Sequence, residues 1–174
     1  LALPSGANVV QGLDDYRAIY RTYRSDKHLQ RALENHTWIV IWDDHEFAND
    51  CYYDPASMSP AAPDHPYAAE SDAAARLTAL KLDSQQAWAE YVPARVDIDL
   101  TATDPLDRLS IYRSFRFGRL AELFLTDQRS YRSGPPCGLG DIGARLLAPA
   151  TAQCAAAVRD PTRSMLGAAQ KDWL

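Results

Sequence analysis

The stretch that decides the fold covers residues 38–50, WIVIWDDHEFAND, where an apolar run ends abruptly in acids. The run Trp38–Trp42 has β-branched side chains on consecutive positions and is too short for a helix, which predicts an inner strand buried on both faces. The four residues that follow, 43–46, are all ionisable. Neighbouring carboxylates repel each other unless a cation or a proton lies between them, so we expect a positive charge at this strand end.

Length and composition restrict the class of protein. The chain has 174 residues, 47% hydrophobic and 24% charged, which is sufficient for one core of domain size. A net charge of −5 and a pI near 5.3 argue against a dedicated nucleic-acid partner. No apolar run is long enough to span a membrane, and no charged start with an apolar core indicates a signal peptide. Because the chain starts at Leu1 and stops in a helix-like segment, we expect it to be part of a longer protein.

Four segments have the apolar spacing or the capping residues of amphipathic helices. They are a helix capped by Asp14 or Asp15 with Tyr16, Ile19, Tyr20 and Tyr23 on one face, a short helix Leu29–Asn35, a helix from Ser71 or Asp72 to Pro93, and a last helix from Ser164 or Gly167. We expect the third helix to pack on a sheet.

Two long segments lack any apolar period. Phe47–Ser71 is rich in Pro, Asp, Ala and Tyr, and Pro135–Pro161 contains a Gly- and Ala-rich stretch, which predicts loops. Loops of this length in a compact domain are uncommon unless they serve a function.

A β-hairpin is predicted between residues 111 and 126. Apolar and polar side chains alternate there, and Gly118-Arg119 is typical of a two-residue turn. Arg116-Phe117 should then pair with Leu120-Ala121, with the apolar side chains facing the core. The second strand, Leu120–Thr126, leads into a polar cluster, Asp127 to Arg132, at its carboxyl end.

The acidic run after the predicted inner strand has the composition of a hydrolytic metal site. Asp44 and Asp43 are candidate metal ligands, and Asn49 offers a further oxygen. His45 would then contact the phosphoryl oxygen or the leaving group of a substrate. An Asp-Asp pair after a strand is also common as a helix cap or turn, and a single His is often structural, so this interpretation stays open from spacing alone.

Arg129 is the candidate anion clamp. Its planar guanidinium matches two phosphate oxygens, Tyr131 can donate beside it, and Asp127 can orient it. The alternative is a purely structural salt bridge between Arg129 and Asp127.

Five blocks of the sequence, in this order, resemble the PhoD-like phosphatases (alkaline phosphatase D) of the metallophosphoesterase superfamily. The blocks are LDDYRAIYRTYRSDKHLQRAL, WIVIWDDHEFAND, AWAEYVPAR, YRSFRFGRLAELFLTDQRSYR and SMLGAAQKDWL. The resemblance spans nearly the whole chain, and the WDDHE block is its most specific part. It implies an α/β fold, a fragment of a layered α-β-β-α metallophosphoesterase-type sandwich, with residues 1–174 as the central part of one domain.

The resemblance also implies a function: metal-dependent hydrolysis of phosphomonoesters or diesters with Fe(III) and Ca(II), or with other divalent metals. By comparison with a Gly-Asn-His-Asp/Glu motif in related phosphoesterases, Asp44 takes the place of a metal ligand and His45 that of a phosphate contact. The implied partner is a small phosphoester. The implied location is periplasmic or extracellular.

The chain departs from the family pattern at both ends. The family's early ligands, near a Cys and a Gly-Asp turn, and its late His and Asp ligands have no counterpart here, and Cys51 does not match the upstream Cys. We therefore expect little or no activity from the 174 residues alone. A non-catalytic phosphate- or metal-binding domain is the alternative function.

The cysteines do not form a Cys-x-x-Cys pair that would indicate a zinc or redox site. Cys137 and Cys154 bracket a Gly- and Ala-rich segment. Loop closure and the export that is common in the family together predict that these two come close enough to form a disulfide. Cys51 is interpreted as a small apolar core residue.

Overall fold

Helices and short strands alternate along the chain in a computed structural model that describes residues 1–137 and 152–174, without the side chain of Gln153. The helices of these residues are Leu13–Arg24 (α1), Lys27–Asn35 (α2), Ala73–Tyr91 (α3), Pro105–Arg108 (α4), Ala152–Arg159 (α5) and Gly167–Trp173 (α6), with a 3₁₀ helix at Pro66–Ala69. The predicted helices are confirmed as α1, α2, α3 and α6. None of the described helices is long and apolar enough to cross a membrane.

The beginning of α1 differs from the prediction. The helix starts at Leu13 after Gly12, so the two acids occupy its first turn and neither caps it. Asp83 of α3 accepts the hydrogen bond of the Leu13 N–H at 3.1 Å instead. A side chain distant in sequence therefore does what a local cap was expected to do.

The strands form three separate antiparallel pairs. They are Tyr52–Asp54 (β1) with Ser59–Ala61 (β2), Asp97–Ile98 (β3) with Leu109–Ser110 (β4), and Arg113–Phe117 (β5) with Ala121–Leu125 (β6). The fold thus contains both α and β elements. The layered sandwich stays a prediction, because the described strands do not assemble into larger sheets.

Residues 38–42 do not form the predicted inner strand. The exposed fractions are 44% for Trp38, 37% for Ile39 and 41% for Ile41. Within the described parts of the chain, no strand pairs with this run, and the Val40 carbonyl accepts a hydrogen bond from Arg113 at 2.6 Å. A β-branched run becomes an inner strand only where neighbouring strands supply the ladder of backbone hydrogen bonds.

Both segments predicted as loops contain regular structure. Phe47–Ser71 includes the β1–β2 pair and the 3₁₀ helix, and Pro135–Pro161 includes α5. Residues 138–151 of the second segment lie outside the described residues. The sequence did not predict β2 and α5, because Pro60 in β2 and the alanines of α5 do not produce an apolar period.

The β5–β6 hairpin is confirmed, but its register and orientation were predicted wrongly. Phe117 pairs with Ala121, so the turn has three residues, 118–120, and Gly118 adopts a left-handed φ of 59°. Leu120 therefore lies in the turn and not in the ladder. The apolar side chains of Phe117 and Phe124 are largely exposed and do not face the core.

Two hydrophobic clusters, both including residues of α3, hold the acidic run at its two ends. Trp42 packs in one cluster, edge-on against Trp88 with ring centroids 6.3 Å apart. Phe47 packs in the other, with Leu77 and Leu80. The four residues between Trp42 and Phe47 are consequently fixed at both ends by core packing.

The predicted bridge between Cys137 and Cys154 is confirmed. The two cysteines form a disulfide with their Cα atoms 4.8 Å apart. The third cysteine, Cys51, is free and buried in a hydrophobic cluster, as its interpretation as an apolar core residue requires.

Candidate functional site

The first loop of the site follows Trp42 and turns tightly around Asp44. The Asp44 carbonyl accepts hydrogen bonds from the Phe47 and Ala48 N–H groups, both at 2.8 Å. The Asp43 N–H donates to a carboxylate oxygen of Glu46 at 2.6 Å. The Asp-Asp pair thus lies in a turn, which was one of the alternatives that the sequence left open. The turn uses the backbone of Asp44 and not its side chain.

The Asp44 carboxylate is buried, with 6% of the residue exposed. Its Oδ2 accepts a hydrogen bond from the Asp50 N–H at 2.9 Å, which Asp50 presents from a left-handed backbone with φ 55°. Burial alone would raise the pKa of Asp44, but this hydrogen bond and the charges of Arg129 and Arg132 outweigh it and lower the pKa. Asp44 is therefore an anion at neutral pH.

The second loop follows β6 and is organised by Asp127. The fully buried Asp127 accepts hydrogen bonds from the N–H groups of Arg129 and Ser130, both at 2.9 Å. Gln170 of α6 clamps the same residue, accepting from its N–H at 2.6 Å and donating to its carbonyl at 2.8 Å. Asp127 therefore orients Arg129 through the backbone, and the alternative of a salt bridge between the two is not what the structure shows.

The two loops meet through charged side chains. Arg129 lies 2.5 Å from an Asp43 oxygen and 3.8 Å from Oδ2 of Asp44. Arg132 approaches Asp44 to 3.5 Å and donates to the Cys51 carbonyl at 2.7 Å. Arg129 and the Asp43 side chain are partly exposed, whereas Asp44 is enclosed. The site is a pair of carboxylates facing a pair of guanidinium groups, open on the side of Asp43 and Arg129.

His45 is exposed and bonded to Asn49. Its Nε2 lies 2.9 Å from the Asn49 side-chain oxygen, and the Asn49 nitrogen donates to Asp64 at 2.5 Å. Because Asn49 uses its nitrogen as the donor to Asp64, its oxygen is the acceptor, and Nε2 of His45 carries the proton. Asn49 thus orients His45, a role that the sequence prediction of a metal ligand did not include.

The described residues do not by themselves complete a metal site. Within residues 1–137 and 152–174, no group of three or more His, Cys, Asp or Glu side chains is arranged to hold one. Asp43 and Asp44 come close to each other as predicted, but two guanidinium groups already balance their charge. Asn49 is occupied by His45 and Asp64.

Two site residues were missed from the sequence. Arg132 lies three positions after Arg129 in the same polar cluster, and that proximity was the available signal. Lys81 is a buried lysine of α3 beside Trp42. The sequence signal that could have identified Lys81 is its position as a single cation on the helix face that also contains Leu77 and Trp88.

Comparisons with known proteins agree on one family. The family model described as PhoD-like phosphatase matches residues 2–174. "Alkaline phosphatase D" of Bacillus subtilis (strain 168) is 30% identical over 162 residues, which are 93% of this chain and 23% of that protein. A solved structure described as "Structure of PhoD" matches with a TM-score of 0.67 and 27% identity, over 94% of this chain and 26% of that one. The chain thus spans about a quarter of the length of these relatives.

Proposed function

This chain belongs to the PhoD-like phosphatase family, and on that premise we propose that the protein hydrolyses phosphoesters. The observation that supports the proposal most directly is the ion pair between Arg129 and Asp43 at the open side of the site. A guanidinium that is held by one contact with an exposed carboxylate can exchange that carboxylate for two phosphate oxygens. Arg129 would then bind the phosphoryl group of the substrate.

His45 is proposed to act on the same phosphoryl group. Its Nε2–H, now bonded to Asn49, can instead donate a hydrogen bond to a phosphoryl or leaving-group oxygen. Such a hydrogen bond accelerates hydrolysis when it is stronger in the transition state, where negative charge develops on those oxygens.

Metal dependence is part of the proposal. Asp44, Asp43 and Asn49 are the residues proposed to contribute ligands, and Fe(III) and Ca(II), or other divalent ions, are the proposed metals. When bound, such ions neutralise phosphoryl charge and lower the pKa of a bound water. Since the described residues do not complete a ligand set, the roles of Arg129 and His45 are assigned from their own side chains.

The finer architecture and the location belong to the same proposal. We take residues 1–174 as the central part of a single domain built as a layered α-β-β-α sandwich. The exposure of Trp38, Ile39 and Ile41 supports this, because an inner strand needs partners on both sides. The Cys137–Cys154 disulfide supports export to the periplasm or the cell exterior, since disulfides persist in oxidising compartments.

The test compares variants of the protein at its natural length. We expect Arg129→Lys to raise KM about tenfold, because lysine keeps the charge but loses the two-point contact. His45→Ala should lower kcat about 10²-fold or more while most metal is retained. Asp44→Ala should lose both activity and metal content. Steady-state kinetics on a phosphomonoester and a phosphodiester, with elemental analysis, measure all three effects.

Arg119→Lys is the matched control, because this arginine lies in the β5–β6 turn, away from the site. Parental turnover in His45→Ala, or full metal content in Asp44→Ala, would refute the assigned roles. The second candidate function, a non-catalytic phosphate- or metal-binding domain, is favoured by the incomplete ligand set of the described residues. Phosphate binding without turnover of either ester would establish it.

A further inference from the structure

Lys81 of α3 is buried with 4% of the residue exposed. Its Nζ lies over the Trp42 ring at 3.8 Å from the centroid and 4.9 Å from the centroid of Phe47. Within the described structure this ammonium has no hydrogen-bond acceptor. Trp42 and Phe47 are the two residues that fix the ends of the loop 43–46.

The same ammonium adjoins the second loop. A cavity of about 10 Å³ is lined by Lys81 together with Arg129 and Ser130. Ser130 Oγ and Asp127 Oδ2 are buried, and neither has a hydrogen-bond partner in the described structure. Lys81 therefore borders both the rings that fix residues 43–46 and the loop that carries Arg129.

Stability does not account for a lysine at this position. Burying an ammonium carries a large desolvation cost, and the cation–π contacts with two rings offset only part of it. Burial lowers the pKa of Lys81, whereas Cys51, Asp127, Glu46 and Asp44 favour its charged form. A methionine would occupy a similar volume without this cost. Residues that cost stability in this way concentrate at functional sites.

We propose that Lys81 is a positioning residue of the phosphate site. Its ammonium contacts the Trp42 and Phe47 rings, which fix residues 43–46 at both ends. Its positive charge adds to those of Arg129 and Arg132. The inference rests on the proposed phosphoester function. It assigns to Lys81 no contact with the substrate. Lys81 acts only on the position of the loops and on the electrostatic potential at the place where the phosphoryl group binds.

The experiment measures orthophosphate affinity by calorimetry, kcat/KM and thermal unfolding on the natural-length protein purified with its metals. We expect Lys81→Met to weaken phosphate binding and kcat/KM about tenfold while the melting temperature stays equal or rises. Lys81→Arg should recover most of the phosphate affinity, since it restores the charge. Lys27→Met, at the exposed start of α2, is the matched control and should change neither quantity.

A double-mutant cycle separates positioning from general packing. If Lys81 acts through the Arg129 loop, Lys81→Met should have a smaller effect in an Arg129→Lys background than in the parent. Unchanged phosphate affinity in Lys81→Met overturns the proposal, and strictly additive effects overturn the part of it that acts through the Arg129 loop. Should Lys81→Met not fold, Lys81→Gln is judged by the same limits, and failure of both to fold assigns Lys81 a structural role and also overturns it.

The outcomes distinguish this inference from the function on which it rests. A parent that binds phosphate but hydrolyses neither ester refutes the proposed function, and weaker phosphate binding by Lys81→Met still supports the inference. A parent that turns over esters at a rate unaffected by Lys81→Met refutes the inference alone. A parent that does not bind phosphate refutes it as well.

Discussion

Asp15 shows how a single buried carboxylate organises the N-terminal backbone. It accepts hydrogen bonds from the Ser5 and Gln11 N–H groups, both at 2.9 Å. Burial would raise the pKa of Asp15, but the hydrogen bonds from Ser5 and Gln11 lower it overall. A carboxylate with a lowered pKa contributes stability that is complete above its unfolded-state pKa, about 3.9, and is lost as the pH falls through the folded-state value.

Asp15→Asn should therefore destabilise the protein at pH 7 by about 1–3 kcal/mol, because one backbone N–H loses its acceptor. The difference from the parent should shrink as the pH is lowered below 4. Urea unfolding at several pH values measures it. Asp14→Asn is the control, because that side chain is 80% exposed and contacts Arg17 at 3.4 Å. Equal destabilisation by both substitutions would contradict the role given to Asp15.

The β5–β6 turn depends on one backbone conformation. Gly118 has a φ of 59°, and an added Cβ would find no atom within 4 Å, so the cost of a side chain comes from the backbone alone. Gly118→Ala should destabilise the protein by about 1–2 kcal/mol, the penalty of a left-handed residue with a Cβ. Chemical denaturation measures the change. Arg119→Ala, in the same turn, should be nearly neutral, and a similar loss in both would place the cause outside the backbone of Gly118.

Helices were easier to predict than strands, for a physical reason. A helix closes its own hydrogen bonds, so the apolar spacing of Leu77, Leu80 and Trp88 was sufficient to indicate α3. A strand needs a neighbouring strand for its backbone hydrogen bonds, and the local sequence does not identify that neighbour. This is why the sequence of residues 38–42 predicts an inner strand that does not form, whereas β2, which contains Pro60, lies in a segment that the sequence predicts as a loop.

The site was predictable in its residue types but not in its connections. Asp44 and Arg129 were identified at the ends of two segments, and the structure brings them to 3.8 Å. Their attachment to the core through the contacts of Trp42 with Lys81 and of Asp127 with Gln170 joins residues 39 and 43 positions apart, and no local pattern reports contacts at such separations. The role of Asn49 toward His45 was missed because a side-chain amide offers both a donor and an acceptor.

At the scale of the whole molecule, the disulfide joins the loop after the site to α5. It links Cys137 and Cys154, which are 17 positions apart. Closing a loop of this size lowers the entropy of the unfolded chain, so replacing both cysteines by serine should lower the free energy of unfolding by about 2–4 kcal/mol. A reductant should shift the melting temperature of the parent but not that of the double variant. A shift of equal size in both would show that the reductant acts elsewhere.

The apolar run at residues 38–41 distinguishes two views of the whole molecule. In the 174-residue structure Ile39 and Ile41 are exposed, so Ile39→Ala and Ile41→Ala should change its stability by less than about 0.5 kcal/mol. If the run is an inner strand of a layered sandwich in the natural-length protein, each change should cost that protein about 2–4 kcal/mol, because a filled core loses both transfer energy and packing. Leu120→Ala, at the 98% exposed hairpin tip, is the control and should be neutral in both. Neutral effects of both isoleucine substitutions in the natural-length protein would rule out the sandwich.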